Sequence, residues 1–231
     1  MINAARKYNF KKNPIKATFV GCEDIKKYFQ TSNCVVGISV GQMASEDNRL
    51  RALLNLINRN FACCTILVGD TLQRHNLYFS TNRYADSLNH GDDWILRNTD
   101  IISNLTIPFT VTRWDTWLNS DLFAACLSKV QMAFDNDEIF FNAVNSTIDE
   151  FYQRILKRNE CTVEKKYFYE CSKNYLLEEI AIIELMLPPA GYRFFIYPNK
   201  TPKAFEIAYP IFVEHLYPGM VQWVQVQLKK K

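Results

Sequence analysis

Apolar positions fall into short continuous runs separated by longer stretches of helical period, and this alternation predicts an α/β fold. Cys34-Val35-Val36-Gly37-Ile38 is a run of strand length that closes on Ser39. Acidic residues open the next segment at Ser45-Glu46-Asp47, as they do in the first turn of a helix. Leu50, Leu53, Leu54, Ile57 and Phe61 follow at helical spacing, so that helix has one apolar face. Residues 65–68 form a second buried run that stops at Gly69-Asp70-Thr71. Strand, crossover helix and strand make a βαβ unit with a parallel, right-handed connection.

The same reading places an apolar run at residues 17–20 and a helix at 23–30 ahead of that unit. After it come a helix including 84–98, a strand at 109–112 and a mostly helical stretch from 114 to 157. Residues 168–186 form a helix ended by Pro188-Pro189. Residues 194–197 form a strand that stops at Pro198, which has no ladder donor. A helix at 211–217 and a closing strand at 220–228 complete the pattern. No internal repeat or low-complexity segment interrupts it.

Composition narrows the class. With 48% apolar residues, 14% aromatics and only seven glycines, the 231-residue chain has the makings of a packed core and is not a disordered segment. No apolar run reaches membrane-span length, and the polar, basic N-terminus lacks the apolar core of a secretory signal. The seven cysteines form an odd set without a C-x-x-C pair, and several lie in apolar runs. Buried free thiols in a reducing cytoplasm are therefore expected in place of disulfides or metal ligands. Net charge is only +3, but Arg6, Lys7, Lys11, Lys12 and Lys16 crowd the N-terminus and Lys229, Lys230 and Lys231 close the chain. Such clusters are either solvated termini or a footprint for an anionic partner.

Candidate chemistry lies at the strand ends, where ligands bind in open α/β sheets. Gly37 and Gly41 bracket Ser39, which is either a nucleophile or a tight-turn residue. Asp70, past the second strand, either caps a turn or positions a substrate group in the same cleft. Tyr175 and Glu179 are one turn apart on a helix whose neighbouring Leu176, Leu177, Ile180 and Ile183 are apolar. A carboxylate there sits at a solvated edge or awaits a cation. Tyr197, at a later strand end, is expected at the same crevice. Arg154, Lys157 and Arg158 share one helix face, either solvated or available to phosphates.

Three of these pieces together resemble the cyclodipeptide synthases: Gly37-Ile38-Ser39-Val40-Gly41 after a strand, Asn174-Tyr175-Leu176-Leu177-Glu178-Glu179 on a helix, and Tyr197-Pro198 at a strand end. Their order and separation suit that family over roughly residues 15 to 225. Gln42, where one branch carries Asn, combined with Tyr197-Pro198 is similar to the branch in which a variable residue precedes Tyr-Pro. The resemblance implies a single Rossmann-like domain over 1–231, with a mostly parallel sheet and helices on both faces, similar to the catalytic domain of class I aminoacyl-tRNA synthetases. Residues 1–16 would be a basic arm, and the protein a monomer without a cofactor.

The implied reaction takes two aminoacyl-tRNAs and releases a cyclic dipeptide through an aminoacyl-serine intermediate. Ser39 matches the family nucleophile, Tyr175 and Glu179 the residues that hold the amino group, and Tyr197 a tyrosine that positions substrate and transfers protons. Val35, Gly37 and Leu67 fall where the family lines the first side-chain pocket, and Gly41, Gln42 and Asp70 are expected among the substrate-binding residues. One branch carries a strongly basic helix at the region of residues 80–106, where this chain has only Arg83 and Arg97. The tRNA path is therefore expected over Lys11 and Lys12 or over Arg154, Lys157 and Arg158.

The chemistry is self-sufficient: an aminoacyl-tRNA is an activated ester, so transfer to a serine hydroxyl needs no ATP, and neither ATP-binding signature of class I synthetases is present. Two rivals compete. A serine esterase would need a late histidine, and only His215 is placed for it. A non-catalytic RNA-binding domain would use the basic termini and aromatics, but leaves Ser39, Tyr175, Glu179 and Tyr197 unexplained.

Overall fold

The computed structural model describes residues 15–158 and 163–230. Six strands form one sheet: β1 (Ile15–Val20), β2 (Asn33–Ser39), β3 (Cys63–Gly69), β4 (Phe109–Arg113), β5 (Phe194–Tyr197) and β6 (Gln222–Lys230). Their spatial order is β1-β6-β5-β2-β3-β4. Every pairing is parallel except β1 with β6, which runs antiparallel from Ile15 opposite Lys230 to Val20 opposite Gln225. The fold is thus the expected α/β, Rossmann-like architecture.

Helices cover both faces, which is why β2 and β3 are buried almost end to end. Period-two alternation divides β2: Cys34, Val36 and Ile38 pack on α1 (Asp47–Asn60) and α2 (Arg83–Ile102), through Leu50, Leu53, Ile57 and Trp94. Val35 faces the other layer, with Leu67 and Phe195. That layer comprises α3 (Trp114–Leu118), α4 (Phe123–Asn136), α5 (Glu138–Lys157), α6 (Lys165–Ile180) and α7 (Lys203–Tyr209). Cys22, Cys34, Cys64 and Cys171 are buried free thiols. Among the described residues no helix is long and apolar enough to cross a membrane.

Three expectations are corrected. The helix expected at 23–30 is a 3-10 helix at Lys26–Thr31, docked by Phe29 alone. The long helix at 168–186 changes to a π-helix at Ala181–Met186. The late helix lies earlier than expected: α7 begins after Pro202 and becomes a π-helix at Pro210–Glu214, because Pro210 cannot donate to the regular ladder. Residues 1–14 with Lys11 and Lys12, Cys161 and Lys231 lie outside the described residues, while Lys16, expected in the basic arm, belongs to β1 opposite Lys229.

Candidate active site

Strand order reverses between β2 and β5: from β2 the chain steps outward through β3 and β4, and from β5 it steps the other way to β6. Such a switch point leaves a crevice beyond the carboxyl ends of the two strands. Ser39 ends β2, Tyr197 ends β5, and their hydroxyls hydrogen-bond at 2.7 Å. The serine is placed by its surroundings and not by strain: among the described non-glycine residues only Asp47 and Val221 have positive φ. Gly37, two residues before it, allows the closest approach, since a Cβ there would lie 2.7 Å from the Phe195 ring.

α6 and the π-helix that continues it close the cleft from above. The cleft is lined by the strand-end residues Gly37, Ile38, Ser39, Leu67, Gly69, Phe195 and Tyr197, by Leu72, Gln73 and Trp114, and by Glu179 and Ile183, so the carboxyl ends of β2, β3 and β5 and the start of α3 share it with Glu179. Burial pushes the Glu179 carboxyl up to about 8, with the neighbouring Glu178 charge adding to the shift. No hydrogen bond from a described residue offsets it. The Tyr175 phenol stands beside the cleft, where Gln73 Nε2 donates to it at 3.4 Å. Burial and then the Glu179 carboxylate raise the pKa of both Tyr175 and Tyr197. The bonds from Ser39 and Asn199 and the charge of Arg154 act in the opposite direction on Tyr197.

Sequence reasoning passed over Glu178. Its carboxylate is 3% exposed and receives both terminal nitrogens of Arg74, the indole N–H of Trp114 at 2.9 Å, and a contact from His75 Nε2 at 3.2 Å. Burial alone would raise its pKa, but the bonds from His75 and Arg74 outweigh it and the net shift is downward. Arg74 and His75 belong to a 3-10 helix at Thr71–Asn76 directly after β3, and Trp114 opens α3 directly after β4. The one available signal was a pair of glutamates on an otherwise apolar helix stretch.

The other expected residues divide. Gly37 and Leu67 line the cleft as expected, while Val35, 1% exposed, lies deeper on the same face and does not. Gly41, at φ +85°, and Gln42, whose N–H bonds Ser39 O at 3.1 Å, form the exposed turn after β2 and do not line the cleft. Asp70 is corrected: fully buried, it accepts from Thr71 N–H at 2.7 Å and from Arg113 Nε at 2.5 Å, and so ties β3 to β4 without facing the cleft. Gly91 of α2 leaves the room this ion pair fills. Arg154, Lys157 and Arg158 are exposed at the C-terminal end of α5, with the Arg154 guanidinium 4.7 Å over the Phe151 ring.

The esterase reading fails on geometry. His75 is turned to Glu178, His215 is exposed after the π-helix at Pro210–Glu214, and Ser39 is bonded to Tyr197. The mostly parallel sheet with helices on both faces, and a crevice at its switch point shared by Ser39 and the half-buried Glu179, has instead the fold of the class I aminoacyl-tRNA synthetase catalytic domain. The tyrosyl-tRNA synthetase of Archaeoglobus fulgidus, complexed with L-tyrosine, shares this fold at a TM-score of 0.55 and 12% identity, over 88% of this chain and 56% of that one. A cyclodipeptide synthase from Candidatus Glomeribacter gigasporarum bound to Phe-tRNAPhe superposes at a TM-score of 0.67 with 17% identity, covering 90% of this chain and 93% of that one. A cyclodipeptide synthase from Fluoribacter dumoffii is 33% identical and superposes at 0.89, over 95% of this chain and all of that one. No protein-family model and no curated protein matches the sequence. The chain belongs to the cyclodipeptide synthase family, and is with it a tRNA-dependent aminoacyltransferase.

Proposed function

We propose that the chain acts as one catalytic domain that joins two aminoacyl groups, delivered as aminoacyl-tRNAs, into a cyclic dipeptide by way of an ester on Ser39. The observation that carries the reading is the Ser39 hydroxyl, hydrogen-bonded to Tyr197 at 2.7 Å, at the head of a cleft whose wall includes Glu179. Ser39 Oγ attacks the aminoacyl ester carbon, and the tRNA ribose oxygen leaves with a proton. Tyr197 relays the serine proton toward that oxygen. The ammonium of the serine-bound group gives a proton to the Glu179 carboxylate, and the free amine attacks the ester of the second aminoacyl-tRNA, whose ribose oxygen leaves with the amine's second proton. The new terminal amine closes onto the serine ester and frees Ser39. Each step exchanges an ester for an ester or an amide, so no further activation is required.

Glu179 supplies the recognition. An empty cleft keeps its carboxyl largely protonated near pH 7, since burial raises its pKa to about 8. The α-ammonium of an aminoacyl ester is the cation that lets it ionise, with Tyr175 alongside. For tRNA we favour the Arg154, Lys157 and Arg158 end of α5, because the Arg154 charge already bears on Tyr197. The arginines of α2 are committed elsewhere: Arg83 to Tyr78 O at 3.1 Å and Arg97 to Glu46 at 3.1 Å. This, with Gln42 and Tyr197-Pro198, fits the branch in which a variable residue precedes Tyr-Pro. Aminoacyl-tRNA as donor sets the reaction in the cytoplasm.

Expression in a bacterium tests the function. The medium should contain a cyclic dipeptide, identified by mass spectrometry, that disappears when Ser39→Ala is expressed instead. Folded wild-type protein that yields no cyclic dipeptide, or Ser39→Ala that yields the same amount, would refute it.

A further inference from the structure

Resting on the acylation of Ser39 proposed above, we infer that Gln73 is a further catalytic residue: its side-chain amide donates to the ester carbonyl oxygen as Ser39 attacks. The step itself calls for such a donor. Ser39 Oγ bonds to the carbonyl carbon and the carbonyl π pair moves onto oxygen. When that pair returns, the bond from the carbonyl carbon to the ribose oxygen breaks. Negative charge therefore gathers on the carbonyl oxygen, where a fixed N–H stabilises it more than it stabilises the neutral ester.

Among the described residues that line the cleft, five have polar side chains: Ser39, Gln73, Trp114, Glu179 and Tyr197. Ser39 is the nucleophile, and its hydroxyl is bonded to Tyr197, which relays the proton. Glu179 receives the ammonium, and the Trp114 indole N–H is given to Glu178 Oε1 at 2.9 Å. Gln73 remains. Its Oε1 accepts from Asn76 Nδ2 at 2.9 Å, which leaves the amide nitrogen on the side of Tyr175, to which it donates at 3.4 Å. An amide nitrogen carries two hydrogens, so one is left for a ligand after Tyr175 has taken the other.

The backbone holds this amide in place. Gln73 N–H donates to Asp70 O at 2.9 Å, just after β3. The next residue, Arg74, donates to Thr71 O and to the Glu178 carboxylate of α6, both at 2.8 Å. In an aminoacyl ester the carbonyl carbon is bonded to the carbon that bears the amine. An ammonium held by Glu179 and Tyr175 thus brings the carbonyl to the side of the cleft where Gln73 meets Tyr175.

Single-turnover acylation of Ser39, read by intact mass after acid quench, tests this with an aminoacyl-tRNA that acylates the wild-type protein. Gln73→Met keeps the length of the side chain and removes the donor, and Gln73→Ala serves if that variant does not fold. The rate at saturating aminoacyl-tRNA should fall by about a hundredfold or more, the worth of one oxyanion donor. The half-saturating concentration should move by less than about threefold, because the bond strengthens only in the transition state. Free and N-acetylated donors should slow by the same factor. A loss confined to the free donor would mean that Gln73 serves the amine through Tyr175, and would overturn the inference. An unchanged saturating rate in a folded variant, or a loss of affinity alone, would overturn it as well. No adduct on the wild-type protein with any aminoacyl-tRNA would overturn the acylation reading itself, and this inference with it.

Discussion

Glu178 and Glu179 are consecutive residues of one helix, yet they live in opposite surroundings. Glu178 is held by four nitrogen atoms of Arg74, His75 and Trp114, and its pKa is lowered despite burial. Glu179 looks into the cleft with no such donor, and burial raises its pKa to about 8. Successive side chains on a helix point about 100° apart, so a single step divides a carboxylate built into the framework from one left for a ligand. The framework carboxylate also pins the cleft wall, through Trp114, and its charge helps keep its neighbour protonated.

Breaking the framework side should have the largest effect. Glu178→Ala leaves Arg74 and the Trp114 N–H without their acceptor, and should lower unfolding free energy by about 3 kcal/mol, read by denaturant titration. Glu179→Gln inverts that pattern: stability near pH 7 should hold, while Ser39 acylation falls by roughly ten- to hundredfold, the worth of one charge-assisted contact. If both variants lose stability alike, the division between the two carboxylates is wrong. Tyr197→Phe removes the hydrogen bond to Ser39 and should cost about 1 kcal/mol of stability, with a larger proportional loss of cyclic dipeptide. Unchanged product rates would reduce Tyr197 to packing.

pH sharpens the contrast more gently. Glu179 and Glu184 are both raised from 4.5 to about 8. Between those values the unfolded chain has released protons that the folded chain retains, so these groups lower stability as pH rises through the window. Glu178, shifted down, contributes stability above its unfolded value and loses it as pH falls through its folded one. Glu184 accepts from Trp223 Nε1 at 3.3 Å and has its second oxygen unpaired, so Glu184→Gln keeps the bond and removes the titration. Chemical denaturation from about pH 5 to 9 should show a shallower decline for that variant than for wild type.

Much of the site was legible because strand ends announce themselves. Gly37, Ser39 and Tyr197 were placed from apolar runs that stop at Gly or Pro, and Glu179 from a charge on an apolar helix. What failed to show was everything that depends on which loop meets which helix. Arg74 and His75 follow one strand, Trp114 another, and Glu178 lies 104 residues beyond Arg74, so only the sheet order brings them together. The same blindness misdirected Asp70: its position past a strand was right, but Arg113, 43 residues later, claims its carboxylate. Local pattern also overestimated regular helix, since neither the 3-10 turn at Lys26–Thr31 nor the two π-helices has a period that a helical template detects.

The most direct test of the central claim takes an aminoacyl-tRNA that acylates Ser39 and compares its free with its N-acetylated form as donor, measured by intact mass after acid quench. Acetylation leaves the ester and the side chain intact and removes the ammonium that Glu179 is placed to receive. The free form should acylate Ser39 roughly ten- to hundredfold faster than the acetylated one, and Glu179→Gln should erase most of that difference. Equal acylation by both forms in the wild-type protein would contradict the assignment of Glu179 as the ammonium site.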